Sequence, residues 1–389
     1  MSKFFMKKSF GQAMRNATRL IGTGKLFDAT RLIQRALSGD TPQVRPPVSP
    51  HASPHARDVP APAANDSQVE APPPLVIILP PPAQPSQNLA PDKTSPALRR
   101  SASFTQHQFK FDGDTYPYRL YVPSAGSASD NQRMPLIVLL HGCKQDALDF
   151  SNGTAMNALA EEQQVIVLYP EQITSANAMR CWNWFEPGHQ QADHGEPGMI
   201  AALTQKIVQQ RSADPQRVYI AGLSAGGAMA AVMAGLHPEM FAAVGVHSGL
   251  AAGAARDVMS AFGAMRTGAK GRSQPALPTI IFHGAADKTV HPDNSDHITD
   301  AALAGLKASG LKLVKSQTPM THNSDQKIER IVFSTADGKP YIENWRIDDG
   351  AHAWSGGDAA GSYTDPDGPS ASAAMLAFFL QHRLPDINA

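Results

Sequence analysis

Only two cysteines, Cys143 and Cys181, occur in the 389 residues. That excludes a disulfide-rich scaffold and a four-thiolate zinc site, and a single disulfide is the most the pair can form. The chain also lacks an apolar run near the roughly twenty residues that a membrane-spanning helix needs. Its longest aliphatic stretch, Leu75-Val76-Ile77-Ile78-Leu79, is enclosed by proline triplets. No apolar stretch of signal-peptide length follows Lys3, Lys7 and Lys8 before Gly22, so a standard secretory signal is not legible. Net charge is absent too, with 34 Lys and Arg balancing 34 Asp and Glu. Balance of this kind argues against nucleic acid or an acidic polymer as partner and for a neutral small molecule or neutral polymer.

What is present is a hydrophobic share of 42%, enough for a substantial core. Apolar positions at helical spacing (Leu26, Ala29, Leu32, Ile33, Ala36, Leu37) follow a turn at Gly22-Thr23-Gly24 and predict a basic helical segment over 1–40. Its excess of Lys and Arg reads as a solvated face, with a membrane surface or a partner protein as the alternative. Residues 41–100 hold about half of the chain's 32 prolines, mixed with Ala, Ser, Gln and Asn. Such a stretch buries too little apolar surface to offset ordering and is expected to be a disordered linker. The globular domain is placed at 101–389.

Within that domain, 104–109 and 116–122 flank Asp112-Gly113-Asp114 and read as an opening antiparallel hairpin. Short apolar runs follow at 135–140, 165–169, 217–220, 242–246 and 279–282, of the kind that forms strands buried on both faces. Helix-like stretches at 152–163, 199–211, 225–236 and 295–309 separate them. A last strand is expected at 344–347 and a closing helix at 370–382. Alternation of this kind predicts an α/β fold, with a mainly parallel sheet covered by helices on both faces.

The chemistry centres on Gly222-Leu223-Ser224-Ala225-Gly226, between the strand at 217–221 and a helix of small residues. Glycines two before and two after a serine keep side chains out of a sharp strand-to-helix turn, so the hydroxyl projects from the sheet. The new helix points its free N–H groups at the reacting centre. A serine nucleophile needs a histidine base and a carboxylate to orient it, in the chain order Ser, acid, His on such a fold. Asp287, on the loop leaving the strand at 279–282, is the candidate acid. His352, on a glycine-flanked loop between the last strand and the last helix, is the candidate base. Asp348 and Asp349 are set aside because they lie too near His352 in sequence, and the other downstream histidines lack its position. For the oxyanion, Ala225 supplies one N–H, and Cys143, presented by Gly142 after the first buried strand, supplies the second by position. The chemistry calls for no cofactor and no metal.

His141-Gly142-Cys143, Cys181-Trp182-Asn183-Trp184, the box from Gly222, the His283-Gly284 to Asp287 segment and Ala351-His352-Ala353-Trp354 together resemble the polyhydroxybutyrate depolymerase family of α/β-hydrolase esterases, over about 100–385. The resemblance implies the triad Ser224, Asp287 and His352, oxyanion donors Cys143 and Ala225, and an ester substrate such as a hydroxyalkanoate oligomer or polymer. Feruloyl, acetyl or short-chain esters are the alternative, with peptide amides less favoured. It further implies a Cys143–Cys181 disulfide, against which stands the reading of two unrelated buried thiols. Trp182 and Trp184 then line the substrate groove, or else fill the core. Resemblance and disulfide point outside the cell, whereas the absent signal points to the cytoplasm.

Overall fold

The computed structural model describes residues 101–124, 133–323 and 326–385. The basic segment and the proline-rich linker expected over 1–100 lie outside the described residues. Contacts divide the chain into Met1–Ala97 and Leu98–Ala389, and the architecture below is that of the second unit.

An antiparallel hairpin comes first, β1 (Ser103–Phe111) and β2 (Asp114–Val122), turning at Asp112 and Gly113, both with positive φ. Then follow β3 (Leu136–Leu140), α1 (Ala147–Thr154), α2 (Met156–Gln163), β4 (Ile166–Pro170), α3 (Gly195–Gln210), β5 (Val218–Leu223), α4 (Ala225–Leu236), β6 (Ala243–His247), α5 (Val258–Thr267), β7 (Thr279–Gly284) and α6 (Asp293–Ala308). The chain closes with β8 (Val314–His322), β9 (Gln326–Ser334), β10 (Pro340–Ile347), the short β11 (Trp354–Ser355) and β12 (Thr364–Asp365), and α7 (Ala371–Phe379).

Ten strands form one sheet in the order β1-β2-β4-β3-β5-β6-β7-β10-β9-β8. From β4 to β10 neighbours run parallel, and antiparallel hairpins finish both edges. Strands β3 to β7 are buried along their whole length, which requires cover on both faces. Alternation of side chains supplies two cores from the same strands. Leu136, Val138, Leu140, Val218 and Ile220 face one core with α3, α4 and α6, while Ile137, Leu139, Tyr219, Ala221 and Leu223 face the other with α1, α2 and α7.

Differences from the sequence reading have local causes. The hairpin β8–β9 went unseen because β8 is an edge strand with eight of its nine residues exposed, so no apolar alternation marks it. The short α5 was also unseen, although Asp257 and Ser260 form a reciprocal capping box at its start. Helix α3 begins at Gly195, four residues early, because Pro197 and Gly198 fit a first turn where no intrahelical N–H bond is needed. The stretch expected as one helix to residue 163 is two, α1 and α2, divided at Ala155 with φ 50°.

Candidate active site

The candidate catalytic residues lie on four loops at the C-terminal ends of parallel strands: those after β3, β5, β7 and β10. That is the edge where ligand-facing residues of open α/β sheets collect.

Ser224 sits between β5 and α4 at φ 56°, ψ −119°, a combination L-residues rarely adopt. Its N–H donates to His247 O at 2.8 Å, and its carbonyl accepts from Ala228 N–H at 2.9 Å. The turn fits only because two neighbours lack side chains. A Cβ on Gly226 would lie 2.1 Å from Leu140 O, and one on Gly222 would lie 2.4 Å from the Gly226 carbonyl carbon. Strand β5, the helix start and the end of β3 are thus in backbone contact beneath the serine, which is 8% exposed.

The candidate acid and base come from loops that leave neighbouring strands. Parallel pairing of β7 with β10 puts their exit loops side by side. Ala285 N–H donates to Ile347 O and Ala286 N–H to Gly350 O, at 2.8 and 3.0 Å. His352 Nδ1 then donates to Asp287 Oδ2 at 2.6 Å, while Asp287 Oδ1 accepts the N–H groups of Thr289 and Val290 at 2.8 and 2.9 Å. Because an ionised carboxylate only accepts, Nδ1 carries the proton and Nε2 is the basic nitrogen. Burial alone would raise the Asp287 carboxyl; the His283 and His352 ring N–H groups, the imidazole charge of His352 and the Val290 N–H hold it well below the usual carboxylate range. Among the described residues the Ser224 hydroxyl has no protein hydrogen-bond partner, so the structure joins Asp287 to His352 and positions Ser224 through its backbone. Such serine–imidazole bonds often tighten only with substrate bound.

Two further histidines belong to this centre and were passed over as lone histidines in the sequence. His283 Nε2 donates to Val290 O at 3.0 Å and lies 3.5 Å from Asp287 Oδ2, and its buried Nδ1 has no partner among the described residues. His247 Nε2 accepts from Ser355 N–H at 3.0 Å, and its ring stacks on Phe282 and Trp354. Burial pushes the His247 pKa down to about 3, so it supports the site as a neutral ring. Trp354 in turn fixes the His352 loop by donating to Ser372 Oγ at 3.0 Å. Asp348 and Asp349 are exposed, and among the described residues the carboxylate bonded to His352 is that of Asp287.

Across the serine, the N–H groups of Cys143 and Ala225 have no acceptor among the described residues, the second because it opens a helix. Gly142 N–H is taken by buried Gln145 Oε1 at 2.9 Å, and Gln145 Nε2 donates to Asp149 Oδ2 and Ser362 O at 3.0 and 2.9 Å. Cys143 is disulfide-bonded to Cys181, with Cα atoms 4.2 Å apart.

Trp182 and Trp184 are a correction to the groove-lining reading. They are 0% and 3% exposed and belong to the core. The indole N–H of Trp182 donates to His141 O at 3.1 Å, with the ring packed against the His141 ring. Turning Trp182 out to meet a ligand would strip that bond and its packing, at a cost on the order of 3 kcal/mol or more. Among the described residues no group of three or more His, Cys, Asp or Glu could hold a metal ion, and no helix is long and apolar enough to cross a membrane.

Residues 116–308 match the family described as Esterase PHB depolymerase. The chain is 31% identical over 242 residues to poly(3-hydroxyalkanoate) depolymerase C of Paucimonas lemoignei, covering 58% of this chain and 56% of that protein. It is 32% identical over 180 residues to feruloyl esterase B of Neurospora crassa, covering 40% and 60%. The chain spans a little over half the length of the curated relatives it matches. Among solved structures, acetyl xylan esterase from Aspergillus awamori superposes with a TM-score of 0.52 at 20% identity, over 71% of this chain and 99% of that one. At that identity the likeness speaks for the fold, which is that of the α/β-hydrolases.

Proposed function

We propose, from the match of residues 116–308 to the esterase PHB depolymerase family and the 31% identity to a poly(3-hydroxyalkanoate) depolymerase, that this chain is a serine esterase working through an acyl-enzyme on Ser224. The observation that carries the reading is the 2.6 Å bond from His352 Nδ1 to Asp287 Oδ2, which leaves Nε2 as the basic nitrogen, on a loop that leaves the same edge of the sheet as the turn carrying Ser224. In the first half-reaction Ser224 Oγ attacks the ester carbonyl carbon as His352 Nε2 takes its proton. The carbonyl oxygen, now anionic, accepts the Cys143 and Ala225 N–H groups. The C–O bond to the alcohol breaks, and His352 returns the proton to the departing oxygen. Water then repeats the sequence in reverse, releasing the acid and restoring the serine.

The substrate class favoured by the relatives is a hydroxyalkanoate ester, oligomeric or polymeric, and the disulfide beside the oxyanion loop supports work in an oxidising compartment. The likeness to feruloyl esterase B keeps aromatic-acid esters as a second substrate class. Turnover of soluble 3-hydroxybutyrate oligomers, solid polymer, feruloyl esters and peptide amides, each with Ser224→Ala as blank, decides among them. Preference for hydroxybutyrate esters supports the reading; preference for feruloyl esters redirects it, and preference for amides overturns it.

A further inference from the structure

Behind the oxyanion loop lies a carboxyl group that the acyl-transfer steps do not use. Glu196, in the first turn of α3, is 1% exposed. Its Oε1 accepts from Gln172 Nε2 at 2.5 Å and from Asn183 Nδ2 at 2.6 Å, and its Oε2 accepts from Asn183 N–H at 2.7 Å. The partners continue toward the oxyanion loop. Gln172 Nε2 also donates to Cys181 O at 3.1 Å, and Gln172 N–H donates to His141 Nε2 at 3.1 Å. Asn183 Oδ1 accepts from Asn177 Nδ2, and Asn177 Oδ1 accepts the N–H groups of Met179 and Cys181. Met179 O in turn accepts Lys144 N–H at 2.7 Å.

The loop carrying Cys143 is therefore tied to residues 172–183 at His141 Nε2, at His141 O through Trp182, at the disulfide, and at Lys144 N–H. Glu196 holds that segment from its other side. Three donors converge on its two oxygens, and an amide in its place would bring donors of its own. Burial pushes the carboxyl up to about 7 against the lowering by Asn183 and Gln172. A buried carboxyl of this kind is costly where an apolar side chain would pack, so what its oxygens hold in place is the reason to look for a role.

We infer that Glu196 is a positioning residue for the oxyanion hole: by holding Gln172 and Asn183 it keeps the Cys143 N–H aimed at the oxygen that gains charge during acyl transfer. The inference rests on the serine-esterase reading above.

The test uses the full chain as wild type, Glu196→Gln and Gln172→Met. For each, kcat and KM are measured on p-nitrophenyl butyrate, with concentrations set by active-site titration. The inhibition constant of butylboronic acid, which forms a tetrahedral adduct with a serine nucleophile, is measured alongside. The expected result is a kcat lowered about tenfold in Glu196→Gln, a fraction of the ~10²–10³ lost when an oxyanion donor is removed outright. KM should stay within about threefold, and the boronate constant should rise by the same factor as kcat falls. Gln172→Met keeps the carboxyl and should move both in the same direction, so it carries the test should Glu196→Gln not fold. A kcat per active site within about twofold of wild type overturns the inference. So does a lowered kcat with an unchanged boronate constant, which would place the loss at His352. Wild type that neither hydrolyses the ester nor binds the boronate overturns the esterase reading and this inference with it.

Discussion

Asp287 holds His352 with one carboxylate oxygen and its own loop with the other: Oδ2 accepts the imidazole Nδ1–H at 2.6 Å, and Oδ1 accepts the N–H groups of Thr289 and Val290. The orientation of the carboxylate is thus set before the imidazole arrives. In Asp287→Asn those two N–H groups retain the amide oxygen, which turns the amide NH₂ toward His352 Nδ1. Donor then faces donor, the ring takes the other tautomer, and the basic nitrogen becomes Nδ1 in place of Nε2. We expect kcat on p-nitrophenyl butyrate to fall by ~10³–10⁴ with KM changed little. A loss below tenfold would contradict the assignment of the acid.

The close approach beneath the serine gives a second expectation. A Cβ at residue 226 would stand 2.1 Å from Leu140 O and 2.5 Å from His141 O, both backbone atoms at the start of the oxyanion loop. Gly226→Ala should cost at least ~1–3 kcal/mol of stability and lower kcat, because the displaced backbone carries Cys143. Thermal unfolding with activity per active site checks this, and wild-type values of both would refute it.

The bridged cysteines are 38 positions apart in sequence, and loop closure over that length stabilises a fold by up to about 4 kcal/mol. Cys181→Ser, or a reductant that reaches the bond, should lower the thermal midpoint by several degrees. An unchanged midpoint, with alkylation showing both thiols free, would speak against a structural role for the bond.

Glu196 and Asp287 bring opposite signs to the dependence of stability on pH. Glu196 is raised from 4.5 to about 7, so its contribution is fully present below about 4.5 and is lost as pH rises through about 7. Asp287 is depressed, so its contribution is present above about 3.9 and is lost as pH falls through its folded value. Buried His141 is pushed down to about 4, chiefly by burial, and acts in the same sense as Asp287 between about 4 and 6.5. Groups facing the Glu196 carboxyl are Glu186, His189 and Tyr116. They remain in Glu196→Gln, so the difference between the two proteins isolates Glu196. The midpoint of the variant relative to wild type should rise from pH 5 to about pH 7 and level off above it. A difference independent of pH would remove the titration from Glu196.

The sequence reading reached furthest where the signal is local. Leu136–Leu140 and Val218–Leu223 are apolar runs bounded by turn residues, and the elbow needs its glycines within two positions of Ser224. Asp287 and His352 were singled out from chain order and strand exits, although they lie 65 residues apart. Glu196 and His247 escaped because their partners are distant: Glu196 meets Asn183 across 13 residues and Gln172 across 24, and His247 meets Ser355 across 108. Nothing in their immediate neighbours separates them from ordinary buried polar residues. The tryptophans show the converse, since an aromatic cluster beside a site reads the same whether it faces the groove or the core, and the burial of both rings, with the bond from the Trp182 indole N–H to His141 O, decides for the core.

Covalent labelling tests the central claim most directly. Wild type and Ser224→Ala are treated with a fluorophosphonate, digested and mapped by mass spectrometry. The account predicts one adduct in wild type, on the peptide containing Ser224, and none in the variant. Equal labelling of both proteins, or an adduct on another serine, would contradict it.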